Sequence, residues 1–256
     1  TPMFDPMPAL VKKYGYAVAD KLVQARRPKA ALYALTQPDE AARMASWIPL
    51  FNFEQKSALL TSTAQNAMQD YDVTQAIQKL LSDTNAKHPL NRMLYVDTHL
   101  WLPDYLLSRG DKLTMAVSLE GRVPLLDYKL VEFAARLPTQ MKMNGTARKY
   151  LLKQLSYKWL PAENIDRKKK GFPVPVPLWL RDELREFVRD ILTPERIKER
   201  GLFNVEYVER LLNEHEAETA DHATMIYGLL NLELWQQQFL DGIGRPAGAT
   251  SPVQVA

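Results

Sequence analysis

Apolar positions recur along this chain mostly at helical spacing, and no pair of alternating Val/Ile/Thr-rich runs joined by an Asn-Gly or Asp-Gly turn appears. The pattern predicts a mainly α fold. Residues 8 to 83 read as four or five short helices separated by Pro28, Pro38, Pro49 and polar breaks. Within them, Asn52 with Gln55 and Asp72 with Gln75 have the spacing of reciprocal helix N-caps. Two further helices are predicted at 89–101 and 103–116, divided at Pro103, because the residue before a proline is disfavoured in α conformation.

Asp127 is placed to cap YKLVEFAARL, whose Leu130, Val131, Ala134 and Leu137 share one apolar face. Another helix is expected over 146–157. From Pro161 to Pro177 the character changes to PAENIDRKKKGFPVPVP, with four consecutive basic residues, a glycine and prolines at alternate positions. Prolines cannot donate to a sheet ladder, so this segment predicts an extended, ordered connector. Helices resume over 178–192, at Thr193-Pro194 as N-cap and first helical residue, at Asn204, and over 221–241 with Gly242 as the stop. In the last of these, Ile226, Leu229, Leu230, Trp235 and Phe239 have core-packing spacing. Residues 1–241 are expected to form one helical body and 242–256 a mobile tail with little to bury.

Composition fits an ordinary globular chain: 256 residues, 46% hydrophobic and 25% charged. Lys+Arg 33 against Asp+Glu 30 leaves a net charge of +3, which calls for no polyanionic partner such as nucleic acid. The absence of cysteine excludes disulfides, thiolate metal sites and a cysteine nucleophile within these residues. No secretory leader or membrane-spanning run is evident, so a cytoplasmic setting is expected. His88, His99, His215 and His222 lack metal-ligand spacing, and no metal site is assigned. Neither a Gly-rich phosphate loop nor a nucleophile elbow occurs, so any nucleotide site is incomplete within this sequence.

Two segments concentrate charge, glycine and proline between apolar flanks: SRGDKLTMAVSLEGRVPLLD at 108–127 and DRKKKGFPVPVPLWL at 166–180. In the first, Asp111, Glu120, Arg122 and Asp127 stand among leucines and valines, where burial would require pairing such as Glu120 with Arg122. Such a cluster either locks helix ends together or lines a pocket for a charged substrate. In the second, the lysines are either a solvated face or, held by Gly171 and the prolines in a fixed path, point charges for a phosphate. A nucleic-acid patch is the poorer reading, since no aromatic residues are interleaved for base stacking.

On these same residues the sequence resembles the asparagine synthetase family. The run LPDYLLSRGDKLTMAVSLEGRVPLLD at 102–127 is similar to the family pattern, with Lys112 in place of the usual Arg and Leu125 in place of the usual Phe. The likeness continues through LVEFAARLP at 130–138, KYLL at 149–152 and DRKKKGFPVPVPLWL, and spans roughly residues 90 to 240.

The resemblance implies the helical C-terminal part of an ATP-pyrophosphatase-type (adenine nucleotide α-hydrolase-like) synthetase domain whose parallel sheet lies mostly upstream. It implies a parent ligase in which ATP, with Mg2+, adenylates aspartate and glutamine-derived ammonia forms the amide. The glutaminase and the main ATP-binding segments would lie upstream, and the fragment alone is expected to be inactive; a homodimer is compatible with the family. By position in the family's loop, Lys169 is the catalytic cation, Arg167, Lys168 and Lys170 its supports, Gly171 the shaping residue and Phe172 the anchor. Asp111, Glu120, Arg122 and Asp127 carry over as acceptor-side or structural residues. Rival readings are a related amidotransferase or β-lactam synthetase-like ligase with another carboxylate acceptor, and a stand-alone helical module that binds anions.

Overall fold

Side chains at helix starts do much of the local work in this protein. In the computed structural model, which describes residues 33–47, 50–168, 171 and 174–242, Asp39 caps helix Glu40–Ala45 and Asn52 caps helix Phe53–Leu59. At the second of these the expected reciprocal box forms: Asn52 Oδ1 accepts from the Gln55 amide at 2.7 Å and Gln55 Oε1 accepts from the Asn52 amide at 2.9 Å. Asp127, Thr193 and Asn204 also cap as expected, each accepting from a first-turn amide. The expected Asp72–Gln75 box does not form, because the helix begins two residues later than that box requires, at Gln75, with Thr74 as its N-cap.

The described residues are mainly helical. Their one sheet is a hairpin of two-residue strands, Met143–Asn144 and Ala147–Arg148, in antiparallel register with Met143 opposite Arg148. Its two-residue turn is Gly145-Thr146, with Gly145 at φ +57°, a left-handed conformation that glycine takes without a steric cost. Strands this short show no alternation, which hides the hairpin from a reading of the pattern. It replaces the first part of the helix expected over 146–157, and only Tyr150–Ser156 is helical.

The described residues divide into two compact units, one drawn from 33–47 and 73–171, the other from 50–72 and 174–242. In the first, Arg92 on helix Pro89–His99 grips Glu40, with its Nε 3.0 Å from both carboxylate oxygens. Beside this pair Ala41, Leu81 and Val96 form a small core. Pro103 does not interrupt the helical path as expected. Residues Trp101–Leu107 wind as a π-helix, in which Ser108 donates its amide to the Pro103 carbonyl five residues back, and helix Ser108–Met115 follows directly. The wider winding absorbs the proline ring and its missing donor.

The second unit is built on a larger core. Leu59, Leu180, Val188, Ile197, Val208, Leu211, Ile226 and Leu229 are all buried in it. Residues 59–61 lie along the Gly201–Asn204 turn, where Asn204 donates to the Leu59 carbonyl at 2.7 Å and Thr61 to the Leu202 carbonyl at 3.0 Å. The helix expected over 178–192 is two helices, Val176–Arg181 and Arg185–Ile191, broken where Asp182 leaves helical backbone at φ −108°, ψ −88°. Both halves bury a side chain, Leu180 and Val188. In the last helix, Ala223–Phe239, Trp235 faces solvent rather than the core, while Glu233 and Gln236 are buried. Among the described residues, no helix is long and apolar enough to cross a membrane. The tail from 243 onward lies outside the described residues.

Candidate functional site

The first chemistry-bearing segment begins in the π-helix. Trp101 stacks on Tyr105 with ring centroids 4.4 Å apart, and Arg109 lies 4.3 Å over the Tyr105 ring while donating to its hydroxyl at 3.0 Å. This stack stiffens the segment that precedes Asp111. Helix Ser108–Met115 then ends in a reciprocal C-terminal motif: Ser118 donates to the Met115 carbonyl at 3.0 Å and Leu119 to the Thr114 carbonyl at 3.0 Å. Ser118 holds the left-handed position, φ +59°, where glycine is usual. That turn sends Glu120 and Arg122 into an open strand-like stretch.

Glu120 and Arg122 do pair, with Arg122 Nε 3.1 Å from Oε1 and Nη2 3.3 Å from Oε2. The pair is not buried, as the sequence suggested, but mostly exposed, because the surrounding apolar residues are themselves exposed. In that setting its contribution to stability is small, and both groups stay open to a ligand. Asp111 is exposed and forms no ion pair with a described residue. Asp127 is committed to its cap, accepting from Lys129 and Leu130 amides at 3.1 and 3.2 Å.

The basic connector follows helix Ala162–Asp166. Asp166 is fixed by the Tyr157 hydroxyl, which donates to Oδ1 at 2.7 Å, and by Lys153 at 3.6 Å from the same oxygen. The hydrogen bond to Asp166 holds the Tyr157 phenol above its usual range. Arg167 and Lys168 emerge exposed from this anchored end. Lys169, Lys170 and Phe172 lie outside the described residues. Gly171 is described, and no described residue lies within 4 Å of where a Cβ would stand on it.

Two supports in the first unit carry no sequence signal. One is the Tyr157–Asp166 pair, nine residues apart, joining the C-cap of helix Tyr150–Ser156 to the last residue of helix Ala162–Asp166. The other is Lys142, which donates to Asn91 Oδ1 at 2.8 Å and to the Ala135 carbonyl at 2.9 Å; burial lowers its pKa. In the second unit, His215 carries a comparable support, donating from Nε2 to the carbonyl of Pro177, where the proline-rich connector enters its helix. Among the described residues no group of three His, Cys, Asp or Glu could hold a metal ion.

Comparison with known proteins bears directly on these segments. The family model described as asparagine synthase matches residues 11–237. The chain belongs to the asparagine synthase family. Asparagine synthetase [glutamine-hydrolyzing] 1 of Bacillus subtilis is 32% identical over 232 residues, covering 91% of this chain and 36% of that protein. The putative asparagine synthetase [glutamine-hydrolyzing] of Mycobacterium tuberculosis H37Rv is 34% identical over 173 residues, covering 67% of this chain and 26% of that protein. Asparagine synthetase [glutamine-hydrolyzing] 3 of Bacillus subtilis is 35% identical over 103 residues, covering 40% of this chain and 17% of that protein. The chain therefore spans about a third of the first of these relatives, and less of the others. No solved structure matches it.

Proposed function

We propose that these residues form part of an ATP-dependent ligase that adenylates the side-chain carboxylate of aspartate and then amidates it with ammonia released from glutamine. The observation that carries this reading is the 32% identity to a glutamine-hydrolysing asparagine synthetase along 91% of the chain. The exposed charged groups at Asp111, Arg167 and Lys168, and the exposed Glu120–Arg122 pair, support it. The fold is then the helical portion of an ATP-pyrophosphatase-type synthetase domain.

ATP enters as co-substrate. A carboxylate oxygen of aspartate attacks the α-phosphorus, the bond to pyrophosphate breaks, and ammonia then displaces AMP from the acyl carbon while giving up a proton. Negative charge gathers on phosphate oxygens in the first step, and a fixed cation placed there stabilises it more than it stabilises the bound substrate. Lys169 fills that role, with Arg167, Lys168 and Lys170 raising the local positive potential. Emergence from the anchored Asp166 limits the freedom of Arg167 and Lys168, so less ordering is needed when phosphate binds. Asp111 and the Glu120–Arg122 pair would face the acceptor's ammonium and carboxylate groups.

Magnesium finds no set of three acidic or histidine ligands among the described residues, and no step is assigned through it. The test is pyrophosphate release dependent on ATP, aspartate and ammonia, measured for this chain and for the complete product of its reading frame. Release by the complete product alone is the expected result. No release with aspartate, but release with another carboxylate, would replace the acceptor.

A further inference from the structure

Asp166 is the last residue of helix Ala162–Asp166, so its carboxylate stands beside the open carbonyls of the helix end, an unfavourable place for negative charge. The exposed Arg167 and Lys168 follow it directly, with Arg167 already in extended backbone at φ −51°, ψ 140°. A free carboxylate there would turn onto either cation and cancel its charge. Instead, Oδ1 accepts from the Tyr157 hydroxyl at 2.7 Å and lies 3.6 Å from Lys153 Nζ. Lys153 and Tyr157 are four residues apart, so helix Tyr150–Ser156 and its C-cap present both groups on one side. Arg167 and Lys168 form no ion pair with a described residue. The Tyr157–Asp166 contact is exposed and adds little to stability, so its main consequence is the position it gives Asp166.

We propose that Tyr157 is a positioning residue for the start of the basic run: through Asp166 it fixes the point from which Arg167 and Lys168 leave the helix, and it keeps that carboxylate off their charges. The two cations then meet a pyrophosphate group already placed and unneutralised. This deepens the proposed function and rests on it for the ligand. Binding is favoured because less chain has to be ordered when the polyanion arrives, and because no internal ion pair has to be broken first. The hydrogen bond to Asp166 holds the Tyr157 phenol above its usual range, so the hydroxyl stays a donor at neutral pH. Lys153 is the weaker partner, since 3.6 Å is an ion-pair separation without a direct hydrogen bond.

Trypsin reads the geometry, because Arg167 and Lys168 are themselves cleavage sites. In the 256-residue chain, Tyr157→Phe should speed cleavage after these two residues about fivefold, with cleavage after Arg210 in the second unit unchanged. Inorganic pyrophosphate is the probe of purpose. Its dissociation constant from the complete product of the reading frame, measured by calorimetry, should rise about fivefold in Tyr157→Phe. Asp166→Asn keeps an acceptor for the hydroxyl and should bind pyrophosphate no more weakly than the unsubstituted protein. In the release assay, Tyr157→Phe should raise KM for ATP with kcat nearly unchanged, whereas a merely structural loss would lower kcat and leave KM. Unchanged cleavage or unchanged pyrophosphate affinity in Tyr157→Phe would each overturn the proposal, as would a lower kcat at constant KM. So would Asp166→Asn binding as weakly as Tyr157→Phe, or an unsubstituted protein that binds no pyrophosphate. The two ideas fail separately. Weaker pyrophosphate binding in Tyr157→Phe, with no aspartate-dependent release by the unsubstituted protein, defeats the ligase reading alone. Normal release with unchanged affinity defeats the positioning role alone.

Discussion

His215 Nε2 lies 3.1 Å from the carbonyl oxygen of Pro177. Since a carbonyl only accepts, that ring nitrogen carries the proton, and the nearly buried imidazole ties helix Val205–Glu216 to the first turn of helix Val176–Arg181. Arg181 reinforces the join through Glu218 at 3.0 Å. Replacing His215 with Ala should lower the stability of the second unit by about 2 kcal/mol, through a lost donor and a cavity. It should also speed hydrogen exchange over 178–182, while Asn, which keeps a donor, should recover part of the loss. Unchanged exchange in the Ala variant would show that Leu180 burial alone holds the helix.

Glu233 is nearly buried, and Arg200 provides its charge partner, with Nη2 2.9 Å from Oε1 and Nε 3.0 Å from Oε2. Removing one member of such a pair strands the other, so Arg200→Met should destabilise the second unit by about 3 kcal/mol. The double variant with Glu233→Met should lose less than Arg200→Met alone. Urea unfolding of the three variants measures this, and additive losses would mean that the pair is not coupled.

Two carboxylates make the same unit sensitive to acid. Burial by itself would raise Glu216, but its hydrogen bond to Arg189 and the charges of Arg189 and Arg185 bring it below its ordinary 4.5. The hydrogen bond to Arg200 brings Asp241 below its ordinary 3.8. Both pKa values are lower folded than unfolded, so their contribution is fully present above the ordinary values and is lost as pH falls through the folded ones. Melting temperature should therefore hold from pH 7 to about 5 and drop below about 4. Glu216→Gln should flatten that drop, and an unchanged profile would remove Glu216 from the account.

Ser118 occupies a left-handed position at the end of helix Ser108–Met115, where its Cβ carries a steric cost. Ser118→Gly should leave the turn intact and stabilise it by up to about 1 kcal/mol, read as slower exchange of the Leu119 amide. Faster exchange would mean that the serine side chain supports the turn.

Under the proposed function, Lys169→Ala in the complete product of the reading frame should lower aspartate-dependent pyrophosphate release by about 100-fold. Glutamine hydrolysis should be nearly unchanged. Equal loss of both activities would argue that the residue holds structure rather than charge.

The family was legible in the sequence because its motif is long and ordered, running from Leu102 to Asp127 and on through the basic connector. Helix starts were legible too: Asn52, Asp127, Thr193 and Asn204 act on amides two or three residues away, so their chemistry is local. Tertiary structure alone decided the rest. Pro103 stays in a helical path because a π turn makes room for it, and Trp235 faces water while Glu233 is buried because Arg200, 33 residues earlier in the chain, supplies its partner. Glu120 and Arg122 pair in the open because Leu119 and Leu125 beside them are themselves exposed. Capping and helical periodicity act over a few residues and are written in order along the chain, whereas burial and charge pairing depend on which distant segments meet.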